Sequence, residues 1–196
     1  MRYDSDHKSE TRRRVLKEAA REIRAKGPAG VAVAGIMARA GLTHGGFYAH
    51  FESKEALIAA AIDTMFEGAR KRFDLATADD PRAALLAYVD FYLSAAHRDA
   101  RENGCPLPSL SGDLARLDPE ARLRFGKGVA GLTAKLAEAL GRHGIADPER
   151  AGASMQSEMV GAVTLARAVS DPAQSDAILE DARASVIERF SLEEVK

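Results

Sequence analysis

Scarce residue types exclude several classes of protein. The chain of 196 residues has one cysteine, Cys105, so no disulfide can form within it. It has no tryptophan, and it lacks a run of about 18 apolar residues that could cross a membrane. The basic segment MRYDSDHKSETRRR is not followed by an apolar stretch, which argues against a secretory signal. We therefore expect a cytoplasmic protein with no membrane partner.

Patterns typical of β-strands are also missing. β-branched residues do not gather in alternating runs, whereas apolar and small residues recur at spacings of three and four. The first such stripe predicts a helix from Ser9 to Ala25. Asp-Pro steps at Pro81, Pro119 and Pro148 predict the starts of later helices. Together, the start and stop signals predict an all-α fold of about nine helices.

Side-chain groupings needed for catalysis or metal binding are absent from the sequence. The histidines His7, His44, His50, His97 and His143 do not stand near cysteines or acids at metal-ligand spacing. No glycine-rich phosphate loop or nucleophile elbow appears. The sequence thus predicts no enzyme, no catalytic residues, no metal site and no cofactor.

Charge is distributed unevenly along the chain. Residues 1–55 hold 11 Lys and Arg against 7 Asp and Glu, whereas residues 56–196 hold 17 against 22. A basic N-terminal part fits a chain that presents only that part to phosphates. The net charge of −1 disfavours a non-specific architectural DNA-binding protein, which should be basic overall. That class is the least favoured alternative.

Residues 36–58, IMARAGLTHGGFYAHFESKEALI, hold two short helical patterns joined by a tight turn. Gly41, which can take a positive φ, is predicted to end the first helix, and the Thr43 hydroxyl to cap the second. Phe47 and Phe51 are four residues apart and should enter the core, which leaves Tyr48 facing outward. Two short helices around a sharp turn are typical of a helix-turn-helix DNA reader. Ser53 is predicted to cap the long helix that follows.

The same stretch resembles the TetR-type transcriptional regulators, most closely over residues 12–62. The matching residues, in family order, are Ile36, Ala40, Gly41, Leu42, Thr43, Gly45, Phe47, Tyr48, His50, Phe51, Lys54, Glu55 and Leu57. The resemblance implies a DNA-binding domain at 9–55 and an effector-binding and dimerisation domain at 56–196. It also implies a homodimer that binds a double-stranded DNA operator with an inverted repeat.

The predicted DNA contacts divide by chemistry. Gly45 and Gly46 lack side chains, so the start of the second helix can approach DNA closely. Side chains able to donate to phosphates belong to Tyr48, His50 and Lys54. Base reading is assigned to Thr43, His44 and Ala49. As isolated residues, all of these could instead be ordinary surface residues.

One departure from the family pattern concerns the start of the preceding helix. The family often has Thr or Ser there as a cap and phosphate contact, whereas this chain has Val31 and Ala32. We expect Lys8, Arg12 or Arg13 to supply the missing phosphate contact.

The remainder of the chain is expected to bind a small effector, as the resemblance implies. The predicted pocket residues are Tyr88, Phe91, Tyr92, Met155, Gln156 and Met159. Their apolar character predicts an apolar or aromatic effector that releases a repressor, although each could be simple core. The helices at about 148–169 and 173–190 are the predicted dimer surface. Small residues there would permit close helix approach, either across the dimer or within the core, namely Ala151, Gly152, Ala153, Gly161 and Ala162.

Cys105 has two interpretations, and it is also counted among the predicted effector-binding residues. The step Asn103-Gly104-Cys105-Pro106 breaks the helical pattern, and a similar Gly-Cys step occurs in electrophile- and oxidant-sensing members of the family. With Arg98 or Arg101 lowering its pKa, the thiol could serve a sensing repressor. Otherwise Cys105 is a small buried side chain.

Overall fold

The computed structural model describes residues 2–76 and 79–193, and every regular element in these ranges is a helix. The α-helices are α1 Arg2–Lys26, α2 Val33–Arg39, α3 Lys54–Ala76, α4 Pro81–Tyr92, α5 Ala95–Asp99, α6 Pro106–Leu110, α7 Pro119–Arg142, α8 Pro148–Ala168 and α9 Pro172–Arg189. Short 3-10 helices lie at His44–Ala49, Arg101–Asn103 and Leu114–Arg116. The all-α prediction is confirmed. No helix in the described ranges is long and apolar enough to cross a bilayer.

Several helix starts follow the predicted chemistry. The Asp80 carboxylate accepts a hydrogen bond from the Ala83 N–H at 3.0 Å, and Asp118 accepts one from Glu120 at 2.8 Å. Ser53 caps α3 by accepting from the Ala56 N–H at 3.1 Å. In each case the side chain satisfies an N–H that has no partner inside the helix.

Helix α1 begins at Arg2, several residues before the predicted start at Ser9. The prediction relied on the apolar stripe, and the residues before it are polar. Residues 6–10 are exposed, so these turns continue the helix without contributing to the core. Apolar periodicity cannot report a solvated turn of this kind.

The turn before the second predicted helix differs from expectation in one respect. Gly41 has a φ of +73°, as predicted. The Thr43 hydroxyl, however, makes no capping hydrogen bond. The following segment is a 3-10 helix, in which the Gly46 N–H donates to the Thr43 backbone carbonyl at 3.1 Å. That bond satisfies the group that the hydroxyl was expected to reach. We call His44–Ala49 the reader helix.

Helix α3 joins the two parts of the chain. It packs on α1 on one side and on α7 on the other. On the α7 side, a Cβ at Gly128 would overlap the ring of Phe66, which is fully buried. Phe66 also meets Phe125 edge to face, with ring centroids 5.3 Å apart. This close approach fixes the direction in which α3 leaves the reader.

Helix α8 packs closely on α7. A Cβ at Gly152 would lie 2.8 Å from the Ala137 backbone nitrogen. Gly152 therefore allows close approach within the chain, which is one of the two roles predicted for it. Ala162 is likewise buried, whereas Ala153 is exposed.

Candidate functional site

The reader helix presents a largely exposed surface. Tyr48 is 70% exposed, although its ring packs edge to face on Phe47 at 5.2 Å. Phe47 and Phe51 are buried and stack at 5.7 Å, as the spacing predicted. The predicted DNA contacts that are exposed are Thr43, His44, Gly45, Tyr48 and Ala49, and those that are half-buried are Gly46, His50 and Lys54. All eight lie on or beside the reader helix.

His50 is held as a neutral ring. Burial lowers its pKa, and the positive charges of Lys8 and Arg12 lower it further. Its Nδ1 atom is buried and has no hydrogen-bond partner among the described residues. His50 can thus offer at most one outward-facing N–H, rather than a full positive charge, to a phosphate.

Arg12 connects α1 to the end of the reader helix. Its guanidinium donates to the His50 backbone carbonyl and lies over the Phe51 ring, 4.1 Å from the centroid. Arg13 pairs with Glu10 at 3.0 Å on the exposed face of α1. Helix α2 begins at Val33 without a side-chain cap, as the sequence indicated. Of the three residues predicted to replace the missing phosphate contact, Arg12 and Arg13 already contact other residues of the protein, and Lys8 is exposed.

Ion pairs fix α2 on α1. Arg39 of α2 pairs with Glu22 and approaches Glu18 at 3.7 Å. Lys26 pairs with the same Glu22 at 3.0 Å. Glu22 is buried, so its charge is compensated by two cations instead of water. These contacts set the angle at which the turn and the reader helix leave the domain.

A cavity of about 250 Å³ lies between the N-terminal helices and the rest of the chain. One wall is aromatic and consists of Tyr88, Phe91 and Tyr92 of α4. Cations border it, namely Lys17 and Arg24 of α1 and Arg72 of α3. Asn103, Gly104 and Cys105 form a third side. No carboxylate occurs among the described lining residues.

The predicted pocket residues divide into two groups. Tyr88, Phe91, Tyr92 and Cys105 line this cavity. Met155, Gln156 and Met159 do not line it, so the predicted effector-binding residues lie in two separate places.

The second group is buried on α8, which packs on α7, and the Thr133 hydroxyl of α7 donates to Gln156. Helical spacing identifies a buried face, but it does not distinguish core from cavity wall. No pattern in the sequence predicts that Lys17 and Arg24 border the cavity, because their positions depend on how α1 packs against the rest of the chain.

The cavity is bordered by positive charges that carboxylates do not fully neutralise. Burial lowers the pKa of Arg24 to about 10, so it stays charged at neutral pH. Its Nε donates to the Glu102 backbone carbonyl at 2.6 Å. Arg72 lies over the Phe91 ring, 4.7 Å from the centroid. The prediction of a mostly apolar lining is therefore corrected, because three cations border the aromatic wall.

Comparisons with known proteins agree with the geometry of the reader. Residues 15–61 match the family model described as bacterial regulatory proteins, tetR family. A TetR transcriptional regulator from Chloroflexus aurantiacus J-10-FL has a similar structure, with a TM-score of 0.79 and 29% identity over 95% of this chain and 96% of the other. The chain thus resembles the TetR-type transcriptional regulators in its N-terminal sequence and in its fold.

Two further structures share the fold of this chain. A TetR family regulator from Cytophaga hutchinsonii has a TM-score of 0.79 and 24% identity over 97% of this chain and 98% of the other. Escherichia coli NemR in its reduced form also has a TM-score of 0.79 and 24% identity, over 91% and 96%. No curated protein sequence matches the chain.

His97 fixes the segment that carries Cys105. Its Nδ1 lies 2.7 Å from the Tyr92 backbone carbonyl, and the Cys105 N–H donates to its Nε2 at 3.0 Å. A carbonyl only accepts and an amide N–H only donates, so Nδ1 carries the proton and the ring is neutral. Burial lowers the pKa of His97 to about 4, although the hydrogen bond to Tyr92 opposes this shift.

Cys105 is 8% exposed, and burial raises the pKa of its thiol. The Tyr92 hydroxyl and the charges of Arg167 and Arg24 oppose this rise. The cations that act on the sulfur are thus not the predicted Arg98 and Arg101. Arg98 instead pairs with Asp99 and Asp176, because α5 packs near α9. The thiol is protonated at neutral pH.

Proposed function

We propose that this TetR-type regulator is a repressor that binds its operator as a dimer and releases it when a small effector fills the cavity. The supporting observation is the position of the cavity. Its walls include α1, which contacts the end of the reader through Arg12, and α3, which follows the reader in the chain, as well as α4 of the C-terminal part. A ligand there contacts both parts of the chain and can favour one arrangement of the readers over another.

DNA contacts follow from the exposed reader surface. Gly45 has open space around the position of a Cβ, so a phosphate or groove wall can approach its backbone. Tyr48 donates to a phosphate, and Lys54 contributes a full charge at the start of α3. Thr43, His44 and Ala49 face the bases. Phosphate contacts fix register, and base contacts supply preference for one sequence.

The dimer interface is assigned to the exposed face of α8. Small residues follow one another there at helical spacing, and Leu165 stands among them at 59% exposure. An apolar side chain on a face of small residues fits a closely packed helix pair across a two-fold axis. A symmetric dimer then requires an operator that is an inverted repeat.

Non-covalent control is favoured over control through the Cys105 thiol. Cys105 borders the cavity, but it is buried, protonated and fixed by His97. A sensing thiol needs thiolate character and access. Cys105 therefore serves first as part of the cavity wall.

A salt titration of operator binding tests the proposal. Lys54→Ala should weaken binding to operator and to random DNA alike, and should reduce the slope of log affinity against log salt by about one. Lys127→Ala is the matched control, because Lys127 is an exposed lysine of α7, outside the reader. Equal effects of the two variants would contradict the assigned contact. Absence of a palindromic footprint would contradict the proposed function as a whole.

A further inference from the structure

The cations at the cavity differ in their partners from several other arginines of the chain. Arg98, Arg124 and Arg183 each pair with carboxylates. Arg72 makes no ion pair within the described residues, and its charge lies over the Phe91 ring. Arg24 makes its hydrogen bond through Nε to a backbone carbonyl, which leaves both terminal nitrogens without a carboxylate partner in the described part of the chain.

These cations also repel one another. The charges of Arg72 and Arg21 both act to lower the pKa of Arg24, in addition to the effect of burial. Arg24 is half-buried and Arg72 is exposed, and the Glu102 carboxylate offsets part of the repulsion at Arg24. An anion placed between the two arginines would relieve the rest. Arginine binds carboxylates through two parallel N–H donors, so Arg24 and Arg72 are suited to such an anion.

The aromatic wall provides the second part of a binding site. Tyr92 is 2% exposed and lines the cavity, and its hydroxyl has no hydrogen-bond partner of normal geometry among the described residues. Its near neighbour is the Cys105 thiol, a weak acceptor. The buried Tyr92 hydroxyl can therefore donate a hydrogen bond to an N or O atom of a ligand, because the protein does not use this donor.

The volume limits the size of the ligand. A cavity of roughly 150 Å³ lined by apolar residues holds benzene, and this one measures about 250 Å³. There is room for a single ring with a short substituent, whereas a multi-ring compound would not fit without movement of the walls.

We propose that the effector is a small aromatic carboxylic acid, with its carboxylate between Arg24 and Arg72 and its ring against the aromatic wall. This inference rests on the proposed function and names the ligand class of the same cavity. Arg24 belongs to α1 and Arg72 to α3. A carboxylate that bridges them acts directly on the two helices that support the reader.

Matched acids and amides test the inference on the full-length protein. Binding of cinnamate and cinnamamide, and of benzoate and benzamide, is measured by calorimetry. At least one acid should bind about tenfold or more tightly than its amide, because only the acid pairs with the arginines. Arg72→Gln should remove most of that difference. Lys71→Gln is the control, because Lys71 is an exposed cation of the same helix that does not line the cavity.

The outcomes separate the inference from the proposed function. Equal binding of acids and amides, or equal losses from Arg72→Gln and Lys71→Gln, would overturn the carboxylate site. Operator binding without effector is measured separately. If the protein did not bind an operator, the proposed repressor role would be contradicted, but the proposed ligand class would not.

Discussion

His97 shows how one buried residue supports the wall of the cavity. Its two ring nitrogens make hydrogen bonds of opposite direction, to Tyr92 and from Cys105. Protonation would place a second N–H on Nε2, facing the Cys105 N–H, so the charged ring loses that bond. The same local arrangement therefore positions the aromatic wall and the thiol, and it depends on a neutral imidazole.

A pH dependence of stability follows from the lowered pKa of His97. The unfolded chain binds a proton near pH 6.5 and the folded chain near pH 4, so stability from neutral His97 is complete above pH 6.5 and falls as pH drops toward 4. Between pH 7 and pH 5 the free energy of unfolding should fall by about 2 kcal/mol from this group. Urea unfolding of wild type and His97→Gln at both pH values measures it.

The variant His97→Gln should be less stable than wild type at pH 7 but should have the flatter pH dependence. His7→Gln is the control, because His7 is exposed. If wild type and His97→Gln lost equal stability on acidification, the buried neutral state assigned to His97 would be wrong.

At the scale of elements, the contact between α3 and α7 depends on a glycine. A side chain at Gly128 would enter the Phe66 ring, which Phe125 also confines. Glycine within a helix is ordinarily unfavourable by roughly 0.5–1 kcal/mol relative to alanine. Its presence here is explained by the close approach of the two helices.

Two glycines of α7 give opposite expectations. Gly128→Ala should lower the free energy of unfolding by about 1–3 kcal/mol, because a well-packed core does not admit an added methyl group. Gly126→Ala, on the same helix with open space around it, should raise it by up to about 1 kcal/mol. Chemical denaturation of both variants measures the difference. A stabilising Gly128→Ala would show that α3 can shift along α7.

For the whole molecule, operator binding by the proposed dimer would depend on the distance between its two readers. That distance would be set by the dimer interface and by the α1 and α3 helices that carry each reader. Because both helices also border the cavity, the proposed ligand and the operator would be coupled through the same elements, and each would change the affinity for the other by the same factor.

The dimer face can be tested with a matched pair of exposed leucines. Leu165→Glu should convert the dimer to monomer and weaken operator binding, because a charge would be buried at the centre of the proposed interface. Leu123→Glu, at a 53% exposed position of α7, should leave the dimer intact. Light scattering with size-exclusion chromatography measures both. Dimers of unchanged stability in Leu165→Glu would place the interface elsewhere.

Elements that have local causes could be predicted from the amino-acid sequence. Asp-Pro steps and Ser53 start helices, Gly41 makes the turn, and the spacing of Phe47 and Phe51 places both in the core. Each of these depends on neighbours within about four residues, so the pattern of the chain is sufficient. The reader and its family resemblance could be identified for the same reason.

The cavity, in contrast, depends on how helices that are distant in the chain pack together. Lys17 and Arg24 border it because of how α1 packs against the rest of the chain. Met155, Gln156 and Met159 are instead buried in the core, where α8 packs on α7. Cys105 is flanked by Arg24 and Arg167, which are distant in sequence, and not by its neighbours Arg98 and Arg101. Contacts between residues far apart in the chain leave no periodic signal in the sequence. Packing alone determined which buried residues line a cavity and which form core.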